Sequence, residues 1–109
     1  MAHKIDKYFH YLIEKGGSDL HLSEGQPPKI RVHGSISPID GESVLTKDVL
    51  ESMMKEIAED EAWQRYISSG DLDFAYEMDE ESRFRCNYLK QSHGYACVFR
   101  LIPTKIASL

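Results

Sequence analysis

From Asp71 to Pro103 the apolar residues recur with a period of two, and this long alternating run constrains the fold more than any other feature. Strands usually run about 3–10 residues, so the run must fold back at its polar breaks. Those breaks are Asp79-Glu80-Glu81 and Gln91-Ser92-His93-Gly94. Leu72, Phe74, Tyr76 and Met78 share one face, as do Phe84, Cys86 and Tyr88, and then Tyr95, Cys97, Phe99 and Leu101. Short turns put all three sets on the same side of an antiparallel meander, because successive side chains alternate across a strand. The opposite side carries Asp71, Asp73 and Glu77, next Arg83, Arg85 and Asn87, and last Arg100. With the second turn centred on residues 91–92, Arg100 stands opposite Arg83; centred one residue later, it stands opposite Arg85. Either register stacks two arginines across neighbouring strands.

Upstream of Gly70 the periods are mixed. Ile5, Tyr8, Phe9, Leu12 and Ile13 form one helical stripe, stopped by Gly16-Gly17. Ser18 to Ser23 alternates, with Leu20 and Leu22 on one face and Asp19 and His21 on the other. After the turn at Glu24 to Pro28, Lys29 to His33 alternates again, with Ile30 and Val32 inward and Arg31 outward. A further extended piece surrounds Ile36 and Ile39. Thr46 is suited to cap a helix whose buried stripe is Val49, Leu50, Met53, Met54 and Ile57. A shorter helix from about Asp60 to Ser68 offers Trp63 and Ile67 to the core, and Gly70 closes it. This order predicts an α+β domain, with helices mainly on one face of an antiparallel sheet.

Composition narrows the function. The chain has 109 residues, enough for one domain, with 13 Lys/Arg against 18 Asp/Glu and a net charge of −5. That balance disfavours nucleic acid, which needs a positive field to displace counterions from phosphates. No apolar run approaches the roughly 18 residues of a membrane span, and the N-terminus lacks the pattern of a secretory signal. Cys86 and Cys97 are too few for a disulfide framework, so reduced, buried thiols and a cytoplasmic setting are expected.

Four of the five arginines, Arg31, Arg83, Arg85 and Arg100, fall on strands. Like charges opposed on a sheet repel, so something negative should neutralise them. An ion-pair ladder with Asp71, Asp73 and Glu77 meets that need; so does an anion site, with guanidinium forks facing phosphate oxygens, which the concentration of arginines on strands slightly favours. Asp19, His21 and His33 are expected on a solvated polar face, because a zinc site needs a further positioned ligand and a closed cage. No metal is therefore expected. The chain contains no Gly-x-x-x-x-Gly-Lys-Ser/Thr phosphate loop, no Gly-x-Ser-x-Gly, no His-Glu-x-x-His and no Cys-x-x-Cys. On its own it should not be an enzyme.

Five short segments occur in a telling order: Gly17-Ser18-Asp19-Leu20-His21-Leu22, Pro27-Pro28-Lys29-Ile30-Arg31-Val32-His33-Gly34, Asp71-Leu72-Asp73-Phe74, Arg83-Phe84-Arg85-Cys86-Asn87 and Val98-Phe99-Arg100-Leu101-Ile102-Pro103. Together they resemble the N-terminal domain of the PilT/PilB/GspE secretion ATPases, across nearly the whole chain. The single helix ahead of Ser18 resembles the PilT, or pilus retraction, branch more than PilB and GspE, which carry an extra domain there. The departures are small: His33 stands where an acid is common, and Cys86 where valine is usual.

The resemblance implies a PAS-like domain over residues 1–103 and, over 104–109, the start of a linker to a RecA-like ATPase domain. With that domain and its Walker motifs missing, the chain looks like an excised fragment or a homologue reduced to its regulatory half. ATP and Mg are implied for the full-length protein and no cofactor for this domain alone. The implied partners are the RecA-like domains of its own and neighbouring subunits in a homohexamer, and the pilus platform at the cytoplasmic face of the inner membrane. Arg31, Arg83, Arg85 and Arg100 become candidate arginine fingers toward ATP held mainly by the second domain. A stand-alone PAS-like sensor with a ligand in its core is the alternative, as is the equivalent domain of a secretion or extension ATPase. Bulky interior residues at Phe74, Tyr76, Phe84, Tyr88 and Phe99 would count against a sensor.

Overall fold

The computed structural model describes residues 5–79, 82–91 and 94–102. The tips of both meander turns, Pro103 and residues 104–109, where a linker is expected to begin, lie outside the described residues. In chain order the elements are α1 (Asp6–Glu14), β1 (Asp19–Ser23), β2 (Lys29–Val32), β3 (Ser35–Pro38), α2 (Lys47–Ile57), α3 (Asp60–Ser69), β4 (Asp71–Asp79), β5 (Ser82–Gln91) and β6 (Gly94–Ile102). The strands form one antiparallel sheet in the order β3-β2-β1-β6-β5-β4. An α+β domain is thus what forms, with the N-terminal hairpin inserted beside the last strand.

All three helices pack on the face that the period of two had marked as apolar. Phe9 of α1 stacks on Phe84, with ring centroids 4.0 Å apart, and meets Phe99 edge-on at 5.2 Å. From α3, Trp63 and Tyr66 meet Tyr88 edge-on. The Tyr88 hydroxyl donates to the Met54 carbonyl of α2 at 2.7 Å, and Tyr66 donates to the Leu89 carbonyl at 2.7 Å. Buried hydroxyls thus find acceptors, as a dry core requires. Phe84, Tyr88 and Phe99 are fully buried, with Phe74 and Tyr76 packed against them.

Three positions differ from the helical reading. Val49 is 45% exposed, because it lies about 90° round the helix from the Leu50–Met53–Met54–Ile57 line. In α3 the core contact beside Trp63 is Tyr66, whereas Ile67 is 38% exposed on the flank of that line. Ile13 likewise ends α1 exposed. The caps follow the local chemistry: Val49 N–H donates to Thr46 Oγ1 at 3.4 Å, and Gly70 closes α3 with φ +90°. At Gly17 the constraint is space rather than φ, since a Cβ would meet the Leu12 side chain and the Arg31 carbonyl.

Candidate functional site

The other face of the sheet carries no helix among the described elements. Register sets a row across it. Arg31 on β2 stands opposite Asp19 on β1, Asp19 opposite Arg100 on β6, and Arg100 opposite Arg85 on β5. The later of the two turn centres is therefore the one adopted. Beside this row Asn87 pairs with Val98 and Leu89 with Ala96. Asp19, Arg85, Asn87, Leu89, Val98 and Arg100 line a shallow groove of about 360 Å³. One end of it is cationic and the other has an apolar floor.

Each guanidinium has a protein partner. Arg83 pairs with Glu77 at 3.4 Å, Arg85 with Asp73 at 2.9 Å, and Arg100 with Asp19 at 3.4 Å. Arg31 Nη1 donates to the Gly34 carbonyl at 3.5 Å. The expected ion-pair ladder forms in part: Glu77 and Asp73 join it, Asp71 stands opposite Leu89 instead, and Arg100 takes Asp19, so the pairing is one-sided. Asp73 lies on the β4 side of Arg85, and Asp19 lies on the β1 side of Arg100. Across the β5–β6 seam between the two arginines, no acid stands on this face among the described residues. Direct bonding to Arg85 holds the Asp73 carboxyl below the usual range, and Arg85 is raised in turn by the same bond.

No family model matches the chain. It is 33% identical over 105 residues to the type IV pilus retraction ATPase PilT of Pseudomonas aeruginosa, a match covering 96% of this chain. The type IV pilus ATPase PilU of the same organism is 26% identical over 106 residues, covering 97% of this chain. Among solved structures, the pilus retraction motor PilT with bound ADP superposes with a TM-score of 0.87 at 29% identity, over 94% of this chain. The chain belongs to the PilT family of secretion ATPases. It corresponds to the family's N-terminal domain, and spans 30% of the length of the curated PilT and 30% of the solved PilT chain.

Within this PilT-family domain the four candidate arginines are not equivalent. Arg85 and Arg100 come together across the seam, and Arg31 is separated from them by Asp19. Arg83 stands opposite Ile102, one step along β5 and away from the groove lining. Asp19 is the residue that sequence reasoning undervalued. It was expected on a solvated face, yet it is 5% exposed, covered by its neighbours in the row. Its place beside Arg100 depends on β1 pairing with β6, a contact between segments far apart in sequence.

His21 also departs from a solvated face. Its ring is half-buried, and Nε2 is buried without a hydrogen-bond partner among the described residues. Burial lowers its pKa; Asp19 opposes that shift, and Arg31 and Lys29 reinforce it. His33 is exposed and sits at φ +51° in the β2–β3 turn, away from any shared ligand set. Among the described residues no three His, Cys, Asp or Glu gather in a way that could hold a metal ion. Cys86 and Cys97 are free and buried, and burial pushes both thiols up, which suits packing rather than redox chemistry. No described helix is long and apolar enough to cross a membrane.

Proposed function

We propose that this domain is the nucleotide-cleft and assembly half of a type IV pilus retraction, or twitching motility, ATPase. Its open sheet face closes over phosphates held mainly by a RecA-like domain of the same or the neighbouring subunit. The observation that carries this reading is the unbridged seam, with Arg85 opposite Arg100 and no acid between them among the described residues. Two guanidiniums in that relation repel each other, and a phosphate placed between them relieves the repulsion. Their part is to stabilise negative charge on phosphate oxygens, the arginine-finger role. The chain supplies no phosphate loop, so nucleotide and Mg are held chiefly by the partner domain. Rotation of this rigid sheet against that domain opens and closes the site.

The same reading places the full-length protein in a homohexamer at the cytoplasmic face of the inner membrane, working on the pilus platform. Support comes from the likeness to a retraction motor that binds ADP. A sensor with a ligand in its core is disfavoured, because Phe9, Phe84, Tyr88, Phe99 and Tyr66 occupy that interior.

The test is to mix this chain with a RecA-like motor domain of the family and follow ATP turnover. Stimulation that disappears with Arg85→Ala or Arg100→Ala is expected. Binding without stimulation would leave assembly and force transmission as the domain's work. Absence of binding would return the sensor to favour.

A further inference from the structure

A carboxylate buried as deeply as Asp19 needs partners to offset its lost hydration, and its partners are specific. Ser18 Oγ donates to Oδ1 at 2.6 Å, and Arg100 Nε donates to Oδ2 at 3.4 Å. The acid therefore grips the guanidinium by one edge nitrogen. Among the described residues Asp19 is the group bonded to Arg100, through Nε alone, and the 71% exposed Arg100 side chain lines the groove. Arg85 is held in another way. Its Nε and Nη2 both donate to Asp73, at 3.4 and 2.9 Å, which occupies one whole edge of its fork.

We infer that Asp19 is a positioning residue that aims Arg100 across the β5–β6 seam toward a phosphate oxygen, whereas Asp73 is a latch that holds Arg85 back until an anion competes for it. This rests on the phosphate-facing reading of the open face. A guanidinium anchored through Nε by a buried acid has fewer orientations to lose when an anion arrives. One fastened along a full edge must first release its partner.

The two acids can be told apart by sign. Asp19→Asn and Asp73→Asn each remove one negative charge, so a pure charge effect strengthens anion binding in both. Positioning by Asp19 reverses the sign at that residue alone. The experiment is titration of the ¹⁵N-labelled 109-residue chain with inorganic tripolyphosphate at low salt, following the Nε–H signals of the arginines. Asp19→Asn is expected to weaken binding roughly fivefold, and Asp73→Asn to tighten it about threefold. Asp19→Glu, which keeps the carboxylate, should recover part of the loss. Ser18→Ala removes the hydroxyl that fixes the carboxylate while keeping the buried charge, and it should weaken binding in the same direction. It keeps the question answerable if Asp19→Asn does not fold.

A response in the unsubstituted chain with Asp19→Asn, or Ser18→Ala in its place, equal or tighter overturns this inference and leaves the phosphate-facing reading standing. No response at Arg85 or Arg100 in the unsubstituted chain overturns both.

Discussion

Tyr88 and Asn87 are neighbours on β5, yet they belong to different environments. Tyr88 is fully buried under the helices, hydrogen-bonded to the Met54 carbonyl and ringed by Tyr66, Trp63, Phe74 and Phe99. Asn87 is exposed and lines the groove between Arg85 and Leu89. The covered face holds the domain together through apolar burial and ring packing. Salt bridges line the open face, and those whose partners are both exposed, Arg83–Glu77 and Arg85–Asp73, contribute little to stability. On the proposed reading one sheet therefore separates folding from binding, since a change on either face is felt mainly by the property that face serves.

The largest expected effect tests the covered side. Phe9→Ala removes the ring stacked on Phe84 and edge-on to Phe99, and it should cost about 3–5 kcal/mol in urea unfolding. Arg85→Ala should cost less than about 1 kcal/mol in the same assay. Comparable losses from the two would end the separation of the faces. Gly17→Ala is intermediate, at about 1–3 kcal/mol, because its Cβ has no room between Leu12 and the Arg31 carbonyl. A neutral result would mean that α1 can shift off the sheet. Tyr88→Phe should lose about 1 kcal/mol, since the Met54 carbonyl keeps the Ala58 N–H as a donor.

Titration distinguishes the faces as well. Burial, with Glu42 beside it, pushes the Tyr8 hydroxyl up to about 12, and burial raises Tyr66, Tyr76, Tyr88, Cys86 and Cys97 too. The unfolded chain releases these protons first, so stability present at neutral pH is lost as pH rises above about 9–10. Tyr8→Phe should flatten that decline between about pH 10 and 12, measured as the urea midpoint against pH. His21 gives the smallest effect and the opposite sign. Its pKa is depressed in the fold, so the unfolded chain takes up the proton first and stability falls as pH drops through about 6.5. His21→Gln should remove that slope. An unchanged slope would mean that the ring is solvated after all.

Much of this was legible along the chain. The alternation from Leu72 to Leu101 placed every aromatic ring of the meander on one side and Arg83, Arg85 and Arg100 on the other, because side chains in a strand have only two directions. The helices were readable too, apart from their flanks: Val49 and Ile67 fit an apolar spacing but fall outside the narrow arc that meets the sheet. Less accessible was the site's inner detail. Turn chemistry around residues 91–94 allowed two registers, and the one adopted sets Arg100 against Arg85 rather than Arg83.

The local pattern alone therefore determined the strands and their two faces, since each depends on residues near one another in sequence, and the order of five short segments along the chain carried the family likeness. Only the tertiary structure decided that β1 enters the sheet beside β6. Nothing local specifies that pairing; it follows from burying Leu20 and Leu22 with Cys97 and Phe99 beneath a shared layer of helices. With it Asp19 comes opposite Arg100, across 81 positions of sequence, and the row of strand arginines acquires the buried acid that orders it.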